Sequence, residues 1–561
     1  MLSLRIRVLF GFFCFLSFLV LGKLFYWQII YREKFQTFAS SQYFQEKEVF
    51  GERGIILASD GFPLVVNKKL FSVYVFLPQI KKSPEEIALS LGEILEPSLK
   101  EEIKNKLEIK DLNWVPLAKR IEKEKKEKIE NLSFSGIFFE EENVRDYPEG
   151  SMAAQLLGFL GKDAAGKNKG YFGLEGFYDR LLSGKPGIIR HERDALGKPI
   201  LIGEKFEDEA VNGKNLELYL DRTLQFLIEE KLKRGIERYG AKSGLVVLMD
   251  PKNGGILAMA SFPNYHPSDY AKTEEKLFLN PVIAESFEPG SIFKVLVMAA
   301  AINENVVAPE DRCPKCFGPL VIGEYTIKTW NEKYHPNETM TEIIQYSDNV
   351  GMAYVAEKLG VEKLLEYLEK FGFGKETGID LEGEISPPLR RKEEWSQIDL
   401  ATAGFGQGIA VTPIQMVTAV SVIANGGKLL EPHVVHLIKD DEKEVEIKPK
   451  VRREIISSRT AKIITEMMVN AVENGEAKWA KPKGYRIAGK TGTAQIPIAG
   501  HYDKEKTIAS FIGFAPAYNP RFVMLVSLRE PTSSPWGSET AAPLWFEIAK
   551  EIFIHWGILP E

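Results

Sequence analysis

The chain has 561 residues, of which 44% are hydrophobic and 27% are charged, with a formal net charge of −6. This length corresponds to about three or four domains with material for a large core, and the composition excludes extensive disorder. The acidic balance gives no support to nucleic-acid binding.

The N-terminal segment predicts a membrane anchor. Arg5 and Arg7 precede an almost wholly apolar run at 8–30, long enough for the ~20 residues that span a bilayer. The only small-residue cleavage site, near Ala39, lies far beyond this run, which favours an uncleaved signal anchor over a cleaved signal peptide. Lysine and arginine counts on the two sides are nearly equal, so they barely fix the orientation. Because no second apolar span follows, everything after about Tyr31 is expected on one side of the membrane.

Residues 46 to about 215 mix short strands with charged helical pieces. Strands are expected at 53–57 and 71–76, and helical pieces from 84 to 130, interrupted at Pro97 and Pro116. No nucleophile occurs with a base in this region. We therefore interpret it as a non-catalytic pedestal.

A second domain is predicted to begin near Leu216. Hairpins are expected at 244–260 and 508–528, and a helix at 541–555 closes the chain. The middle, from Ser291 onward, is mostly helical. This order predicts an α+β fold, in which an antiparallel sheet is assembled from distant segments and a helical insert packs against it.

The cysteines leave three alternatives open. Apart from Cys14 in the apolar run, the chain contains only Cys313 and Cys316. Their spacing is compatible with a local disulfide, half a zinc site or two free thiols. A complete zinc site needs two more ligands, for which Asp311 and His335 are the nearest candidates.

The stretch Phe-Glu-Pro-Gly-Ser-Ile-Phe-Lys at 287–294 contains a candidate nucleophile. Pro-Gly breaks regular structure and an apolar, helix-forming run follows, so Ser291 is expected at a helix N-terminus near the positive end of the macrodipole. Lys294 lies one turn later on the same face. A lysine made partly neutral by burial or by another cation can activate a serine hydroxyl. The alternative is a helix-capping serine with a solvated lysine.

A second polar cluster is Ser347-Asp348-Asn349. It lies between a short helical piece and the helical stretch 350–359, which predicts an interhelical turn whose side chains can point into a cleft. There Ser347 could relay a proton and Asn349 could orient a substrate amide. Alone, the same residues fit a helix N-cap.

The third cluster is Gly-Lys-Thr-Gly-Thr at 489–493. Glycine lets a backbone approach a ligand closely, and a lysine flanked by hydroxyls suits an anionic group such as a carboxylate. Together with Gly484 the string also satisfies the Walker phosphate-loop pattern. Its context disagrees, because polar residues at 481–483 stand where a strand should enter and Pro497 interrupts the helix that should follow. Residues 485–488 fit better as a strand leading into Lys490.

Ser-Xaa-Xaa-Lys, Ser-Xaa-Asn and Lys-Thr-Gly, in this order on a helix, a turn and a strand, are the motifs of the penicillin-recognising serine acyltransferases. Together they are specific, and the chain resembles a class B penicillin-binding protein over nearly its whole length. Other stretches similar to family motifs are Arg53-Gly54 with Gly61, 145–150, 173–175, 288–290, 404–408 with Thr412-Pro413, and 511–516. One departure is Ala58-Ser59, where the family often has Asp-Arg, which affects a pedestal contact rather than the chemistry.

The resemblance implies an α+β fold: a serine β-lactamase/transpeptidase-like domain, with an antiparallel sheet and a helical subdomain, preceded by an elongated mixed α/β pedestal and one N-terminal transmembrane helix. The implied domains are a cytoplasmic stub with a transmembrane signal anchor at 1–31, a pedestal like the family's dimerisation domain at 32–215, and a transpeptidase domain at 216–561. It implies no metal and no cofactor.

The implied reaction is D,D-transpeptidation of peptidoglycan. Ser291 would attack the carbonyl between two D-alanines of a stem peptide, and Lys294 would take its proton, with Lys490 as the cation that raises the neutral fraction of Lys294. Ser347 would pass a proton to the leaving amine. The substrate-binding residues would be Asn349, Thr491, Gly492 and Thr493, with Lys490 also facing the terminal carboxylate. Backbone N–H groups of Ser291 and Thr493 would form the oxyanion hole.

The acyl-enzyme would then be attacked by an amine from a neighbouring stem, which makes a crosslink. β-Lactams imitate the D-Ala-D-Ala end and would acylate Ser291. One alternative is a D,D-carboxypeptidase or β-lactamase of the same superfamily, which the anchor, the pedestal and the lack of an evident Glu-based deacylation motif disfavour. A non-catalytic β-lactam sensor or scaffold is another, although it has no need for three intact motifs.

Within class B, Asn349 in the second motif and the lack of appended C-terminal repeats resemble the division type more than the elongation type. The division type implies septal cell-wall synthesis by a single-pass protein of the bacterial cytoplasmic (inner) membrane, with its catalytic domain extracytoplasmic. Its implied partners are divisome membrane proteins, in particular a polytopic glycosyltransferase of the SEDS family.

Overall fold

The computed structural model describes residues 2–109, 112–192, 205–440, 442–498 and 501–561. The chain divides into two compact units, Met1–Gly54 with Ser183–Gly213 and Ile55–Leu182 with Lys214–Glu561. The smaller unit begins with a helix at Leu2–Phe25 that continues as a π-helical turn at Tyr26–Ile30. Within these 29 residues, an 18-residue window has a mean hydropathy of 2.3, and the span is long and apolar enough to cross a membrane. The expected N-terminal apolar span is therefore present.

The rest of the smaller unit is a helix followed by a small antiparallel sheet. The helix spans Arg32–Tyr43. The sheet contains three strands, in the order Phe44–Val49, Gly187–Glu192 and Lys205–Asp208.

The larger unit contains a mixed sheet of seven strands, which combines strands of the predicted pedestal with two strands from 435–446. Its strands, in order, are Glu444–Glu446, Val435–Lys439, Asn215–Leu218, Ile56–Leu57, Pro63–Phe76 and Trp114–Ile121, with Ile137–Asp146 also paired to Pro63–Phe76. Helices at Pro84–Ile94, Lys100–Leu107 and Lys123–Asn131 cover one face. Short elements follow at Ala154–Leu157, Phe159–Lys162, Asn168–Tyr171, Gly173–Phe177 and Asp179–Leu182.

The strand Trp114–Ile121 corrects the expectation of helical pieces throughout 84–130. Val115 and Leu117 are buried while Trp114 and Pro116 are exposed, which is the alternation of a strand with one face on the core. Pro116 is tolerated because this strand lies at the edge of the sheet, where a missing N–H breaks no ladder.

A second, fully antiparallel sheet of five strands forms the centre of the unit's C-terminal part. Its order is Ile256–Phe262, Ser243–Met249, Phe522–Arg529, His501–Ala515 and Ala488–Ile498. Alternate side chains face two different cores, so Val246 and Leu248 pack with the helices Arg222–Tyr239 and Ala541–His555. Val247 packs on the other side with the helical insert. The α+β arrangement expected from the sequence is confirmed.

The helical insert fills the interval between the second and third strands of this sheet in chain order. Its helices are Pro281–Ala284, Lys294–Asn303, Met340–Tyr346, Asn349–Leu359, Val361–Phe371, Gln397–Ala403, Pro413–Ala424 and Ser458–Asn474. Short strand pairs join Leu320–Ile322 to Tyr325–Ile327 and Lys428–Leu430 to Val451–Glu454. Cys313 and Cys316 form a disulfide, the first of the three alternatives that their spacing left open.

Candidate active site

Ser291 lies on a 3-10 turn, Gly290–Phe293, which leads directly into the helix Lys294–Asn303. Gly290 has a left-handed backbone, φ +56°, and its N–H donates to the carbonyl of Gly406 at 3.0 Å. A Cβ atom on Gly406 would lie 2.3 Å from the carbonyl oxygen of Gly290. Only glycine at 406 therefore lets this loop support the serine turn so closely.

Lys294 is fully buried and its Nζ is held by the second motif. Nζ donates to the carbonyl of Ser347 at 2.6 Å and to Oδ1 of Asn349 at 2.8 Å, and lies 3.3 Å from Oγ of Ser347. In the described part of the chain its hydrogen bonds go to these residues and not to Ser291. The sequence predicted the shared face of Ser291 and Lys294 but not this attachment.

Ser347 occupies a left-handed backbone position, φ +57°, between the helices Met340–Tyr346 and Asn349–Leu359. The next residue, Asp348, caps the second helix by accepting a hydrogen bond from the N–H of Gly351 at 2.8 Å. The cap was the alternative explanation of this cluster, and the structure shows that Asp348 caps while its two neighbours contact Lys294. Nδ2 of Asn349 donates to the carbonyl of Lys328 at 3.0 Å.

Lys490 projects from the strand Ala488–Ile498, at one edge of the five-stranded sheet. Its Nζ donates to Oγ of Ser347 at 2.9 Å and to the carbonyl and hydroxyl of Thr491 at 3.1 and 3.2 Å. Further along, Oγ1 of Thr493 accepts from the N–H of Gly537 at 2.9 Å. This strand begins at Ala488, not at 485 as expected, because Tyr485 instead stacks on Phe553 of the C-terminal helix.

The two lysines have unequal proton affinities. Burial, and secondly the positive charge of Lys490, hold the pKa of Lys294 well below its usual value. Burial lowers the pKa of Lys490 to about 8, and the charge of Glu476 opposes that shift. The positive charge of Lys490 lowers the pKa of Lys294, as expected from the sequence, but burial lowers that pKa more.

The predicted residues meet around one cleft of about 70 Å³. Ser291, Ser347, Asn349, Thr491, Gly492 and Thr493 line it, while Lys294 and Lys490 lie buried at hydrogen-bond distance from Ser347. Sequence reasoning missed Trp330, Glu476 and Trp536, which also line the cleft. No local pattern marks the tryptophans, and Glu476 follows Asn-Gly at a helix end, where an exposed acid is the ordinary expectation.

Two buried acids, Glu338 and Asp348, lie close together next to the second motif. Glu338 is 3% exposed, and burial together with the charge and hydrogen bonding of Asp348 raises the pKa of Glu338 to about 9. Glu338 therefore carries a proton at neutral pH. Its carbonyl also accepts a hydrogen bond from the N–H of Cys313, which ties the disulfide turn to this acid pair.

Ser291 lies at a helix start and lines the same cleft as Ser347 and Asn349, and the buried amines of Lys294 and Lys490 adjoin Ser347. This arrangement is typical of a serine acyltransferase site. Residues 244–553 match the family model "Penicillin binding protein transpeptidase domain" and residues 48–218 match "Penicillin-binding Protein dimerisation domain". The chain belongs to the penicillin-binding protein transpeptidase family.

Related sequences and solved structures both match nearly the whole chain. Stage V sporulation protein D of Bacillus subtilis is 34% identical over 99% of this chain and 85% of its own length. A peptidoglycan D,D-transpeptidase FtsI of Buchnera aphidicola is 30% identical over 98% of this chain and 94% of its own. Among solved structures, penicillin binding protein 2X from Streptococcus thermophilus has a TM-score of 0.78 and 25% identity, covering 91% of this chain and 80% of its own.

Proposed function

We propose that this protein is a peptidoglycan D,D-transpeptidase that works through an acyl-enzyme on Ser291. The observation that carries the proposal is the convergence of Lys294, Ser347, Asn349 and Lys490 beside the cleft that Ser291 lines. The relative from Buchnera aphidicola is named for this reaction.

In the first step, Oγ of Ser291 forms a bond to the carbonyl carbon between two D-alanines, and its proton goes to neutral Lys294. Backbone N–H groups of Ser291 and Thr493 stabilise the oxyanion. The C–N bond then breaks, and the leaving amine receives a proton through the hydroxyl of Ser347. That hydroxyl is suited to a relay because its oxygen lies at hydrogen-bond distance from both lysines.

Substrate binding is assigned to the edge strand and the second motif. Lys490, Thr491, Gly492 and Thr493 bind the terminal carboxylate and the peptide backbone of the substrate. Asn349 keeps one N–H for the substrate, because Lys294 and the carbonyl of Lys328 occupy its Oδ1 and its other N–H. β-Lactams enter the same site as imitations of the D-Ala-D-Ala end.

We further infer a cell-envelope location of the division type. Residues 1–31 anchor the chain in the cytoplasmic membrane of a bacterium, residues 32–215 form the pedestal, and residues 216–561 form an extracytoplasmic transpeptidase domain that works in septal synthesis. Divisome membrane proteins, among them a SEDS-family glycosyltransferase, are the proposed partners. A role in spore-envelope synthesis is the second candidate, because one relative is named for sporulation.

Labelled penicillin tests the catalytic assignment. The full-length protein in detergent should form one stable adduct on Ser291, found by mass spectrometry of its peptides, while Ser291→Ala should form none. Ser98→Ala, at an exposed serine far along the chain from the cleft lining, is the control and should label normally. An undiminished adduct in Ser291→Ala overturns the assignment of Ser291 as the nucleophile. Rapid turnover of the adduct in the wild-type protein indicates a hydrolase. Depletion of the protein in cells distinguishes these roles. Filamentous cells support a role in division, rounded cells support a role in elongation, and defects confined to spores support a role in sporulation.

A further inference from the structure

The cleft contains a carboxylate that the proposed reaction does not use. Glu476 follows the cap of the helix Ser458–Asn474 and lines the same cleft as Ser291 and Ser347. Its Oε1 atom is buried and has no hydrogen-bond partner among the residues that the structure describes. A buried carboxylate oxygen without a donor is costly unless a ligand supplies one, so this oxygen is suited to receive a cationic donor from the substrate.

Two tryptophans stand beside this carboxylate. Trp330 and Trp536 both line the cleft, with ring centroids 4.9 Å apart and ring planes inclined by 61°. Burial raises the pKa of the Glu476 carboxyl group, and the charges of Lys490 and Lys294, together with the neighbouring Trp330, oppose that shift. Indole faces attract ammonium groups more strongly than the other aromatic rings do. A carboxyl group in a cleft that two indoles also line is therefore suited to bind a primary ammonium group.

The position of Glu476 matches the path of the second substrate. Glu476 is near enough to Lys490 and Lys294 for both charges to act on it. Lys490 contacts Ser347, through which the departing amine receives its proton in the proposed mechanism. By microscopic reversibility, the attacking amine approaches along the path by which the first amine left. In the proposed mechanism, Glu476 thus borders the subsite that the terminal D-alanine vacates.

We propose that Glu476, with Trp330 and Trp536, forms the subsite that recruits the primary amine of the acceptor strand to the acyl-enzyme. This inference rests on the proposed function. The amine binds as an ammonium ion, loses one proton to water and attacks the ester carbon. A C–N bond forms, the C–O bond to Ser291 breaks, and the second proton returns to Oγ of Ser291 through Lys294.

The test measures how the acyl-enzyme divides between an amine and water. Full-length protein in detergent is acylated with a thioester analogue of the D-Ala-D-Ala donor. Two acceptors then compete with water: a dipeptide with a charged side-chain primary amine, and hydroxylamine, which is uncharged at neutral pH. The aminolysis-to-hydrolysis ratio is independent of the acylation rate, so an effect of Glu476 on acylation does not disturb it.

Glu476→Gln, which keeps the size of the side chain, should lower this ratio for the charged acceptor by roughly 10-fold, the scale of one charged hydrogen bond. The ratio for hydroxylamine should stay within about twofold. Trp536→Leu should also act on the charged acceptor alone. Glu466→Gln, at an exposed acid of the helix Ser458–Asn474 that is not among the charges acting on Glu476, should leave both ratios unchanged.

An unchanged ratio for the charged acceptor in Glu476→Gln overturns the inference, as does an equal loss with both acceptors. Failure of the wild-type protein to form any acyl-enzyme would instead overturn the proposed function. The two failures are therefore distinguishable in one experiment.

Discussion

The side-chain nitrogen of Lys490 lies 2.9 Å from the hydroxyl oxygen of Ser347, and Lys294 approaches the same oxygen to 3.3 Å. Two buried amines around one hydroxyl repel each other when both carry a proton. The group with the more depressed pKa loses its proton first, and the other keeps its charge. This difference in pKa fits the proposed roles of Lys294 as the base and Lys490 as the cation.

This separation predicts a bell-shaped pH dependence for acylation of Ser291 by penicillin. The rate should rise as Lys294 deprotonates and fall as Lys490, with its pKa of about 8, loses the charge that binds the substrate carboxylate. Stopped-flow acylation between pH 5 and about 10 measures both limbs. A rate that keeps rising well above pH 8 would contradict the charged role of Lys490.

Glu476 should set the position of the alkaline limb. Its negative charge is the cause that raises the pKa of Lys490, so Glu476→Gln should move the fall in acylation rate to lower pH. Glu539→Gln serves as the matched control, because Glu539 is exposed and is not among the charges that shift Lys490. Identical alkaline limbs in wild type and Glu476→Gln would show that the two groups are not coupled.

Gly406→Ala should slow acylation far more than Gly408→Ala does. Both glycines have left-handed backbones, φ +80° and +73°, but a Cβ on Gly406 would lie 2.3 Å from the carbonyl oxygen of Gly290, whereas the nearest atom to one on Gly408 is 3.7 Å away. Overpacking costs about 1–3 kcal/mol, which corresponds to a rate loss of roughly ten- to hundredfold if it displaces the Ser291 turn. Equal rates in the two variants would show that this contact does not position the serine.

The buried ion pair between Arg145 and Glu175 should be important for stability. Arg145 Nε lies 2.7 Å from Oε1 of Glu175, and both side chains are nearly inaccessible, at 3% and 0% exposure. Arg145→Ala leaves a buried carboxylate without its main counter-charge and should cost about 3–5 kcal/mol of unfolding free energy. Lys68→Ala, which breaks an exposed pair with Glu122, should cost less than about 1 kcal/mol. Chemical unfolding of the two variants compares these values directly, and equal losses would refute the burial argument.

Glu338 should make the folded protein less stable as pH rises. Its pKa is about 9 in the folded state against an ordinary value of 4.5, so the folded state holds a proton that the unfolded state has released. Its contribution is complete below pH 4.5 and is lost progressively up to pH 9. Glu338→Gln imitates the protonated acid and should remove this slope, so its advantage in melting temperature over wild type should grow across that range. The same substitution at the exposed Glu332 should show no such trend. Parallel curves of melting temperature against pH for wild type and Glu338→Gln would exclude a buried neutral acid at this position.

Local sequence patterns were sufficient to predict those parts of the fold and of the site that depend on residues close together in the chain. The order of the three motifs predicted the residues that meet around Ser347, and the two hairpins at 244–260 and 508–528, with a strand leading into Lys490, predicted the five-stranded sheet. Trp114–Ile121 was missed because Pro116 outweighed the alternation, although an edge position tolerates proline. Glu476 and the two tryptophans were missed because tertiary packing alone brings these three distant residues to one cleft.

The strand that carries Lys490 is the last in its sheet, and among the described residues no further strand pairs with its outer edge. Such an edge offers unpaired main-chain groups to an extended peptide, which can bind by β-augmentation. A stem peptide that binds in the proposed way would be recognised mainly through its backbone and its terminal carboxylate. Variation in its inner side chains should then be tolerated, whereas a change that twists or covers this edge should weaken the binding of substrate and antibiotic alike.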